Sequence, residues 1–384
     1  MSSYIEGHGY DPRPIHDCHC HIERQYPVGA TIRNLQKVRD FFGLDRILIL
    51  SLLESCELCR DMSANAVSLY LKEKLAPHTY AFASFSHFGD EWMSVDGCLR
   101  QAEQYREMGF DGIKMLEGKS NQWHFLGRHL NARPYESFFA YAEAESFPVL
   151  LHAGDFLSAD TDLILHEVEE VLQRHPDLRL TLAHFANSVN NPQRLARLFD
   201  SYEHVTVDLA LGGDFVLRFS ENLPFWRDFL THYQDRILYG TDTYNQTFQE
   251  ENAEEDAAIR HTCLRSFFED KAVFYPKQYQ KQKALYGDDV IPIHPMTGLP
   301  ETVLDHIYRK NFIRVFGETP RKVNRKAALA YAEKIMEGYR QELYTTHAYT
   351  ELPDYFSLEE KANMARGNAL AVENLETIID YFKK

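Results

Sequence analysis

The stretch Pro148–Phe185, PVLLHAGDFLSADTDLILHEVEEVLQRHPDLRLTLAHF, shows the unit from which the fold is built. It begins and ends with apolar runs of strand length, PVLLH and LRLTLAH, and each run reaches a histidine. Between the two runs, Leu165, Val168 and Leu172 recur at helical spacing, and Pro176 follows. A strand, a helix and a second strand in this order predict a βαβ unit with parallel strands.

The same kind of unit recurs along the chain at steps of about 30 residues, the length that a strand, a crossover helix and two loops require. The predicted strands are Ile15–Ile22, Arg46–Leu52, Thr79–Ser86, Phe110–Leu116, Pro148–Gly154, Leu178–Phe185, His204–Leu211 and Arg236–Asp242. Eight such units favour closure into a (β/α)8 barrel of the TIM type over an open doubly wound sheet. No glycine-rich phosphate-binding motif follows any predicted strand, which removes the usual nucleotide-binding alternatives.

Two segments exceed a minimal barrel. The predicted barrel domain covers residues 1–317 and contains an insertion, residues 243–300, after the eighth strand. The insertion leaves the catalytic face of the barrel, so it either forms a lid or consists of a solvated helix and a packing loop. The insertion ends at a predicted helix, Glu301–Phe316, whose apolar residues lie on one face.

Residues 318–384 predict a C-terminal extension of two helices. Thr319-Pro320 resembles an N-cap followed by a proline at the first helical position. Ser357-x-x-Glu360 has the pattern of a capping box for the second helix. We expect this extension to pack on the barrel or to build an oligomer contact.

Composition limits the functions that the chain can have. The 384 residues carry 41 Lys and Arg against 57 Asp and Glu, a net charge of −16, which disfavours nucleic acid and anionic membranes as partners. There is neither a long apolar run nor a signal-peptide pattern. Six cysteines in a chain of this size are no disulfide framework. These features predict a reduced, cytoplasmic protein. With nucleic acid and membranes disfavoured, a small-molecule substrate is the expected partner, and closed homo-oligomers are common among soluble proteins.

The sequence Asp17-Cys18-His19-Cys20-His21 ends the first predicted strand. Strict alternation places residues 17, 19 and 21 on one face, with the two imidazoles about 6.6–7 Å apart along the chain. Two neutral imidazoles at that separation can bind one metal ion. The same alternation predicts that both cysteines face the surrounding helices, where a thiol behaves as a small apolar group.

Polar groups also end four later strands, in apolar surroundings: Lys114, His152, His184 and Asp242. Burying one such group without a partner costs several kcal/mol, so their convergence at one mouth indicates a shared purpose. The carboxyl ends of barrel strands are where the active site lies in this fold. The sequence therefore predicts a metal-dependent active site.

Nitrogen and oxygen ligands suit Zn²⁺, and also Mn²⁺, Fe²⁺ or Co²⁺. A bound metal would activate a water molecule by lowering its pKa. Asp242 is the predicted general base and also a ligand, and His184 is placed to polarise or protonate the substrate from the opposite side.

Lys114 allows three interpretations, because an ammonium group beside a dication is electrostatically opposed. It can carry CO₂ as a carbamate that bridges two metal ions. It can remain a cation that pairs with a substrate carboxylate. It can also form a structural ion pair with Asp17 or Asp208.

These residues resemble the amidohydrolase superfamily, and within it the amidohydrolase-2 branch of predicted TIM-barrel metal-dependent hydrolases. The resemblance rests on Asp17-x-His19-x-His21, the histidines in PVLLHAG and LTLAHFAN, the aspartate in RILYGTD and the late KNFIRVFG, and it covers roughly residues 13–317. It implies a mononuclear site with His19, His21, His152 and Asp242 as ligands and His184 close by. It does not extend to the insertion or the C-terminal extension.

The resemblance implies one of two activities, because the branch contains lactone and amide hydrolases and also non-oxidative decarboxylases. The first expectation is a hydrolase that uses a metal-activated water on a small lactone, amide or ester, with one zinc per chain. The second is a lyase acting on a small aromatic or dienoic carboxylic acid at the same site. A third hypothesis is a scaffold that binds without turnover. The candidate substrate contacts are Arg24, Lys114, Trp123, Arg128 and Phe156.

Overall fold

Nine strands form one continuous parallel sheet in the computed structural model of the chain, in the order β8-β7-β6-β5-β4-β3-β2-β1-β9. The strands are β1 Ile15–Ile22, β2 Leu44–Ser51, β3 Thr79–Ser84, β4 Gly112–Met115, β5 Val149–Leu151, β6 Leu180–Leu182, β7 Val205–Asp208, β8 Ile237–Leu238 and β9 Thr243–Tyr244. The structure describes residues 9–22, 27–53, 62–88, 92, 94–155, 158–210, 213–244, 253–275, 292–344 and 358–384.

The last two short strands are halves of one strand that closes the sheet. β8 pairs with β7, and β9 pairs with β1 through Cys20 and His21. Between the halves, the backbone N–H of Cys18 donates to the carbonyl of Tyr239 at 3.1 Å. The chain therefore forms the predicted TIM barrel. Thr243 belongs to the barrel, so the prediction that the insertion begins at residue 243 is wrong by at least two residues.

Helices alternate with the strands and cover the outside of the barrel. They are α1 Val28–Phe42, α2 Ala64–Lys74, α3 Gly97–Met108, α4 Ser120–Leu126, α5 Arg133–Ala144, α6 Thr161–Arg174, α7 Pro192–Ser201, α8 Gly213–Glu221, α9 Leu223–His232, α10 Ala253–Glu269, α11 Glu301–Asp305, α12 Asn311–Phe316, α13 Arg325–Arg340 and α14 Leu358–Lys383. A π-helical turn, His306–Lys310, joins α11 to α12, so the helix predicted over this region is confirmed. None of the described helices combines the length and apolar character needed to cross a bilayer.

Two separate apolar clusters hold the barrel together. The larger lies between the strands and the helices. The smaller fills the barrel interior, where Leu48, Tyr80 and Phe82 pack with Phe312 and Phe316 of α12. Burial of each such aromatic side chain contributes about 1.5–3 kcal/mol, so α12 stabilises the barrel by extending the interior cluster.

The position of Cys18 corrects the expectation of strict alternation in β1. Cys18 is fully buried in the interior cluster and does not face the helices. The reason is a register shift: Asp17 pairs with Ile47, but Cys20 pairs with Ile49, so β1 has one more residue than β2 over this stretch. Such a bulge turns the side chains that follow it.

The helix of the insertion packs on the barrel instead of standing in solvent. The helix α10 contacts α1 and α8, and its residues Cys263, Leu264 and Phe267 are buried. The described part of the insertion is thus a packed element, and the remainder lies outside the described residues.

The first helix of the C-terminal extension begins later than the sequence predicts. Helix α13 starts at Arg325, where the side chain of Asn324 accepts from the N–H of Ala327 at 3.3 Å. The start predicted at Thr319-Pro320 is therefore wrong, because residues 317–324 run without helix before that cap. Ser357, the predicted second cap, lies outside the described residues. Helices α13 and α14 pack against each other and against α2.

Candidate metal centre

Three buried side chains converge where β1 meets the split eighth strand. His19 and His21 lie in β1, and Asp242 lies between β8 and β9. The Nε2 atoms of the two imidazoles are 2.9 Å apart, and Oδ1 of Asp242 lies 3.3 Å and 3.2 Å from them. One ligand atom from each residue lies within 4.8 Å of the others. Two nitrogen donors and one oxygen donor therefore share one buried point.

The hydrogen bonds around these side chains leave lone pairs facing one another. Nδ1 of His19 donates to Oδ2 of Asp208 at 2.7 Å, so Nε2 of the same ring keeps its lone pair. Oδ1 of Asp242 is buried and accepts no hydrogen bond within the described part of the chain. Lone pairs that meet in a dry site are costly unless a cation lies among them. The donor set fits Zn²⁺, and equally Mn²⁺, Fe²⁺ or Co²⁺.

The ionisation states also suit metal binding. Burial holds the pKa of His19 well below its usual range, and it lowers the pKa of His21. Burial alone would raise the pKa of Asp242, but the close approach of His21 and the neighbouring imidazoles outweigh it, and the pKa lies well below normal. Neutral imidazoles and an ionised carboxylate are the forms in which these groups ligate metals.

Two buried carboxylates, those of Asp17 and Asp208, position the converging side chains. In the sequence, Asp17 was marked by the Asp17-x-His19-x-His21 motif, whereas Asp208 was considered only as a partner for Lys114. Oδ1 of Asp17 accepts from the backbone N–H groups of His19 and Thr241, both at 3.1 Å, and Oδ2 accepts from the hydroxyl of Thr241 at 2.6 Å. Asp208 orients the ring of His19 and accepts from the backbone N–H of His184 at 2.8 Å. Burial raises the pKa of Asp17 to about 6.

The backbone beside the site adopts a conformation that is costly for residues with side chains. Four consecutive residues, His184–Asn187, have φ between 46° and 56°, and Asp242 has φ 56°. Non-glycine residues in this left-handed region cost of order 1–3 kcal/mol each and cluster at functional sites. Two residues of the barrel mouth, His184 and Asp242, are among these five.

His152 pairs with His184 beside the three converging side chains. Nδ1 of His152 lies 3.1 Å from Nε2 of His184, and Nε2 of His152 lies 3.0 Å from Oδ1 of Asp155. Burial lowers the pKa of both imidazoles, that of His184 to about 3. Because both nitrogen atoms of His152 have protein partners, its assignment as a metal ligand stays a prediction.

Lys114 lies fully buried in the barrel with its ammonium group unpartnered among the described residues. The structural ion pair with Asp17 or Asp208 that we considered is not formed. Burial lowers the pKa of Lys114 to about 8, although the charges of Asp208 and Asp242 act in the opposite direction. The carbamate and the substrate-binding cation remain as its two interpretations.

The predicted substrate contacts Trp123 and Arg128 each contact residues other than the three converging side chains. Nε1 of Trp123 donates to Glu167 of α6 at 3.2 Å. The guanidinium of Arg128 lies 4.5 Å from the ring centroid of Trp92. These contacts fix the loop around α4, and neither places a side chain against His19 or Asp242. Two further predicted contacts lie outside the described residues: Arg24 and Phe156.

Sequence reasoning missed two residues of α10 that reach the centre. Nη1 of Arg260 donates to the carbonyl of Thr241 at 3.2 Å and to Oδ2 of Asp242 at 3.4 Å. His261 lies 2.7 Å from the hydroxyl of Tyr239 through Nδ1. No sequence pattern marks these positions, since the docking angle of α10 decides which of its residues face the site.

A cavity of about 620 Å³ lies elsewhere, between α3 and α13. Its walls include Trp92, Tyr105 and Tyr331, and none of the converging ligands borders it. The chemistry of the donor atoms, and not the size of a cavity, therefore identifies the candidate site.

The comparisons with known proteins agree with this architecture. A family model described as Amidohydrolase matches residues 17–317. No curated protein matches the chain. Among solved structures, an uncharacterised TIM-barrel protein from Bordetella bronchiseptica is 12% identical, with a TM-score of 0.52 over 79% of this chain and 98% of that one.

Two enzymes of known structure are also similar to the chain. A 2,6-dihydroxybenzoate decarboxylase complexed with 2,6-dihydroxybenzoate is 14% identical over 78% of this chain and 99% of that one, with a TM-score of 0.46. A 4-oxalomesaconate hydratase from Rhodopseudomonas palustris is 13% identical over 86% and 100%, with a TM-score of 0.45. Similarity at this level leaves the reaction to be argued from the site itself.

Proposed function

The chain belongs to the amidohydrolase family, and from that premise we propose that it is a metal-dependent hydrolase of a small lactone, amide or ester. The observation that carries the proposal is the buried convergence of His19, His21 and Asp242, where Oδ1 of Asp242 accepts no hydrogen bond from the residues that the structure describes. Zinc is the expected ion, because two imidazoles and a carboxylate are common among its ligand sets.

The three converging residues would hold the ion, and His152 is a fourth candidate. A divalent ion bound there supplies a Lewis acid and lowers the pKa of a coordinated water. Asp242 offers two oxygens with different surroundings, since Oδ1 faces the imidazoles and Oδ2 faces Arg260. The carboxylate can thus ligate through one oxygen and accept the proton of the attacking water through the other.

His184 is the second group placed for chemistry. If Nε2 of His152 donates to Asp155, then Nδ1 of His152 accepts from Nε2 of His184. Nδ1 of His184 is then an acceptor, and it has no hydrogen-bond partner within the described part of the chain. In this state His184 accepts a hydrogen bond or a proton from the substrate, and it can return that proton to the leaving group.

A decarboxylase is the second candidate, and the buried ammonium of Lys114 favours it. A cation without a partner in the barrel interior would pair with a carboxylate of the substrate. In that reaction Asp242, after taking a proton from solvent water, would deliver it to the carbon that loses CO₂, and no oxygen from water enters the organic product.

The proposal is tested first by metal content, measured by plasma mass spectrometry on protein purified without chelators. We expect about one zinc per chain in the wild type and none in His19→Ala. His16→Ala is the matched control, since His16 is a buried histidine on the same strand, 3% exposed, outside the converging set. A wild-type protein that holds no metal, even after reconstitution, contradicts the proposal.

The reaction class is tested on libraries of small lactones, amides, esters and carboxylic acids in ¹⁸O-labelled water. Incorporation of the label into the product identifies hydrolysis. Release of CO₂ without incorporation identifies the lyase. A metal-loaded protein that turns over no member of these libraries would contradict both and favour the non-enzymatic scaffold.

A further inference from the structure

Helix α10 of the insertion holds the segment that carries the metal-ligating carboxylate. Arg260 donates to the carbonyl of Thr241 and to Oδ2 of Asp242, and the next residue, His261, hydrogen-bonds the hydroxyl of Tyr239. The three partners all lie in the short connection between β8 and β9. Two consecutive residues of one helix therefore fix this connection from outside the barrel.

The anchoring of α10 makes this contact well defined. The ring of His261 stacks on Phe42 of α1, with centroids 4.3 Å apart and an interplanar angle of 15°. His261 is 1% exposed, and Leu264 and Phe267 of the same helix are buried. The side chain of Arg260 is 25% exposed, so its guanidinium contacts the buried carboxylate of Asp242 while remaining partly accessible to solvent.

The two oxygens of Asp242 consequently have different neighbours. Oδ1 lies 3.3 Å and 3.2 Å from the two imidazole nitrogens, and Oδ2 lies 3.4 Å from Nη1 of Arg260. We propose that Arg260 is a positioning residue that keeps Oδ2 of Asp242 away from the metal, so that the carboxylate ligates through Oδ1 alone. This inference rests on the proposed function, because it assumes that a metal occupies the converging site.

The physical argument is that a carboxylate can bind a metal through one oxygen or through both. A guanidinium beside Oδ2 stabilises the arrangement in which that oxygen stays outside the coordination sphere, since an N–H donor and a cation are matched to it. The left-handed backbone of Asp242, with φ 56°, restricts its rotation further. Oδ2 then remains available to the reacting water or substrate.

Removing the guanidinium should separate metal binding from activity. Without the guanidinium of Arg260, Oδ2 of Asp242 can turn toward the metal ion. The substitution also removes a positive charge that repels the metal ion. Both changes favour metal retention, so affinity should stay the same or increase. Activity should fall by about 10- to 100-fold, the usual cost of losing a group that orients a metal ligand.

The test uses the full-length protein loaded with Co²⁺, whose visible absorption weakens as the number of ligands increases. We expect Arg260→Gln to weaken the absorption bands, to bind Co²⁺ at least as tightly as the wild type, and to lower kcat with KM little changed. Arg260→Lys keeps the positive charge, so its absorption and its kcat should lie between those of Arg260→Gln and the wild type. The matched control is Arg218→Gln on α8, an exposed arginine that pairs with Glu221 and should behave as wild type.

Three results would overturn the inference. A wild-type cobalt spectrum in Arg260→Gln, in a variant that melts normally, would show that Oδ2 does not depend on Arg260. A rise in KM with unchanged kcat and spectrum would show that Arg260 contacts the substrate instead. Failure of the wild type to bind Co²⁺ would overturn the proposed metal centre as well, and is thereby distinguished from the first two results.

Discussion

Strand β1 carries buried histidines near both of its ends, and the histidines at the two ends have different hydrogen-bond partners. At the amino-terminal end, the ring nitrogens of His16 lie 3.1 Å from the carbonyl of Arg309 and 3.1 Å from Oδ2 of Asp45. At the other end, the Nε2 atoms of His19 and His21 face each other and Oδ1 of Asp242, to which no residue in the described part of the chain donates a hydrogen bond. All three histidines are at most 3% exposed.

The contrast teaches that burial of a polar residue does not by itself indicate a site. His16, whose two nitrogens bond to a backbone carbonyl and a carboxylate away from the converging set, is a structural group. Buried histidines whose lone pairs converge need something that the protein alone does not supply. This matches the general division of labour in TIM barrels, where the carboxyl ends of the strands carry chemistry and the amino ends carry stability.

The largest effect is expected from a comparison of two aspartates, one at each end of the barrel strands. Asp242→Asn keeps the shape of the side chain but removes its charge and basicity, so kcat should fall by about a thousandfold. Asp45→Asn at the other end should leave kcat unchanged and lower the melting temperature, because it weakens the contacts with His16 and His78. Steady-state kinetics and thermal melts measure both, and a similar loss of kcat in Asp45→Asn would break the comparison.

Metal removal should lower the stability of the folded protein, and this loss should depend on the histidines at the carboxyl end of β1 and not on His16. A ligand present at about a thousandfold over its dissociation constant stabilises the folded state by about 4 kcal/mol, and a chelator removes that contribution. We expect the chelator to lower the melting temperature of the wild type and of His16→Ala. It should leave His19→Ala unchanged, and a shift in His19→Ala would place the metal elsewhere.

Acid should act through the amino-terminal end of β1 as well. Burial lowers the pKa of His16 to about 4, helped by Arg46 and opposed by Asp45, whereas the unfolded chain has a histidine pKa of about 6.5. Between these values the unfolded state binds a proton that the folded state does not. Stability is therefore lost as the pH falls from about 6.5 to about 4, by up to about 3 kcal/mol from this residue.

The substitution His16→Gln isolates that contribution. Urea unfolding at several pH values should show a shallower loss of stability in His16→Gln than in the wild type. Equal slopes for the two proteins would mean that His16 is not the group responsible.

The smallest expected effect concerns the close packing behind the ligands. A Cβ at Gly240 would lie 3.1 Å from Cβ of His19 and 3.3 Å from Sγ of Cys18. Gly240→Ala should cost about 1–3 kcal/mol through overpacking and should weaken metal binding, as denaturant unfolding and metal titration would show. Gly29→Ala in α1 is the matched control, because only the tip of Arg33 lies near that position, and a gain of up to about 1 kcal/mol is expected.

The elements that repeat could be predicted from the sequence. Apolar runs and helical spacing located β1 to β8, although β9 was assigned to the insertion. Gly109 marked the end of α3, where it adopts a left-handed conformation with φ 101°. Active sites of this fold lie at the carboxyl ends of the strands, and this rule predicts that His19, His21 and Asp242 lie close together, as they do in the structure.

What could not be predicted depends on contacts between distant segments. The bulge in β1 follows from its pairing with β2, and it reverses the expected side of Cys18. The start of α13 at Arg325 shows that two local cap patterns can compete and that packing selects one. The contact of Arg260 with Asp242 requires the docked position of α10, which no periodicity encodes.

The split eighth strand has a consequence for how the protein is made. Asp17, which precedes the two ligand histidines, is bonded to Thr241, 224 residues later in the chain. At ordinary elongation speeds, the ribosome takes on the order of 10 to 45 s to cover that distance. A nascent chain therefore exposes His19 and His21 long before Asp242 exists, and it can complete its cage only when the barrel is ready to close. If the proposed metal centre holds, an ion could be bound by all three side chains only after translation has passed the last strand.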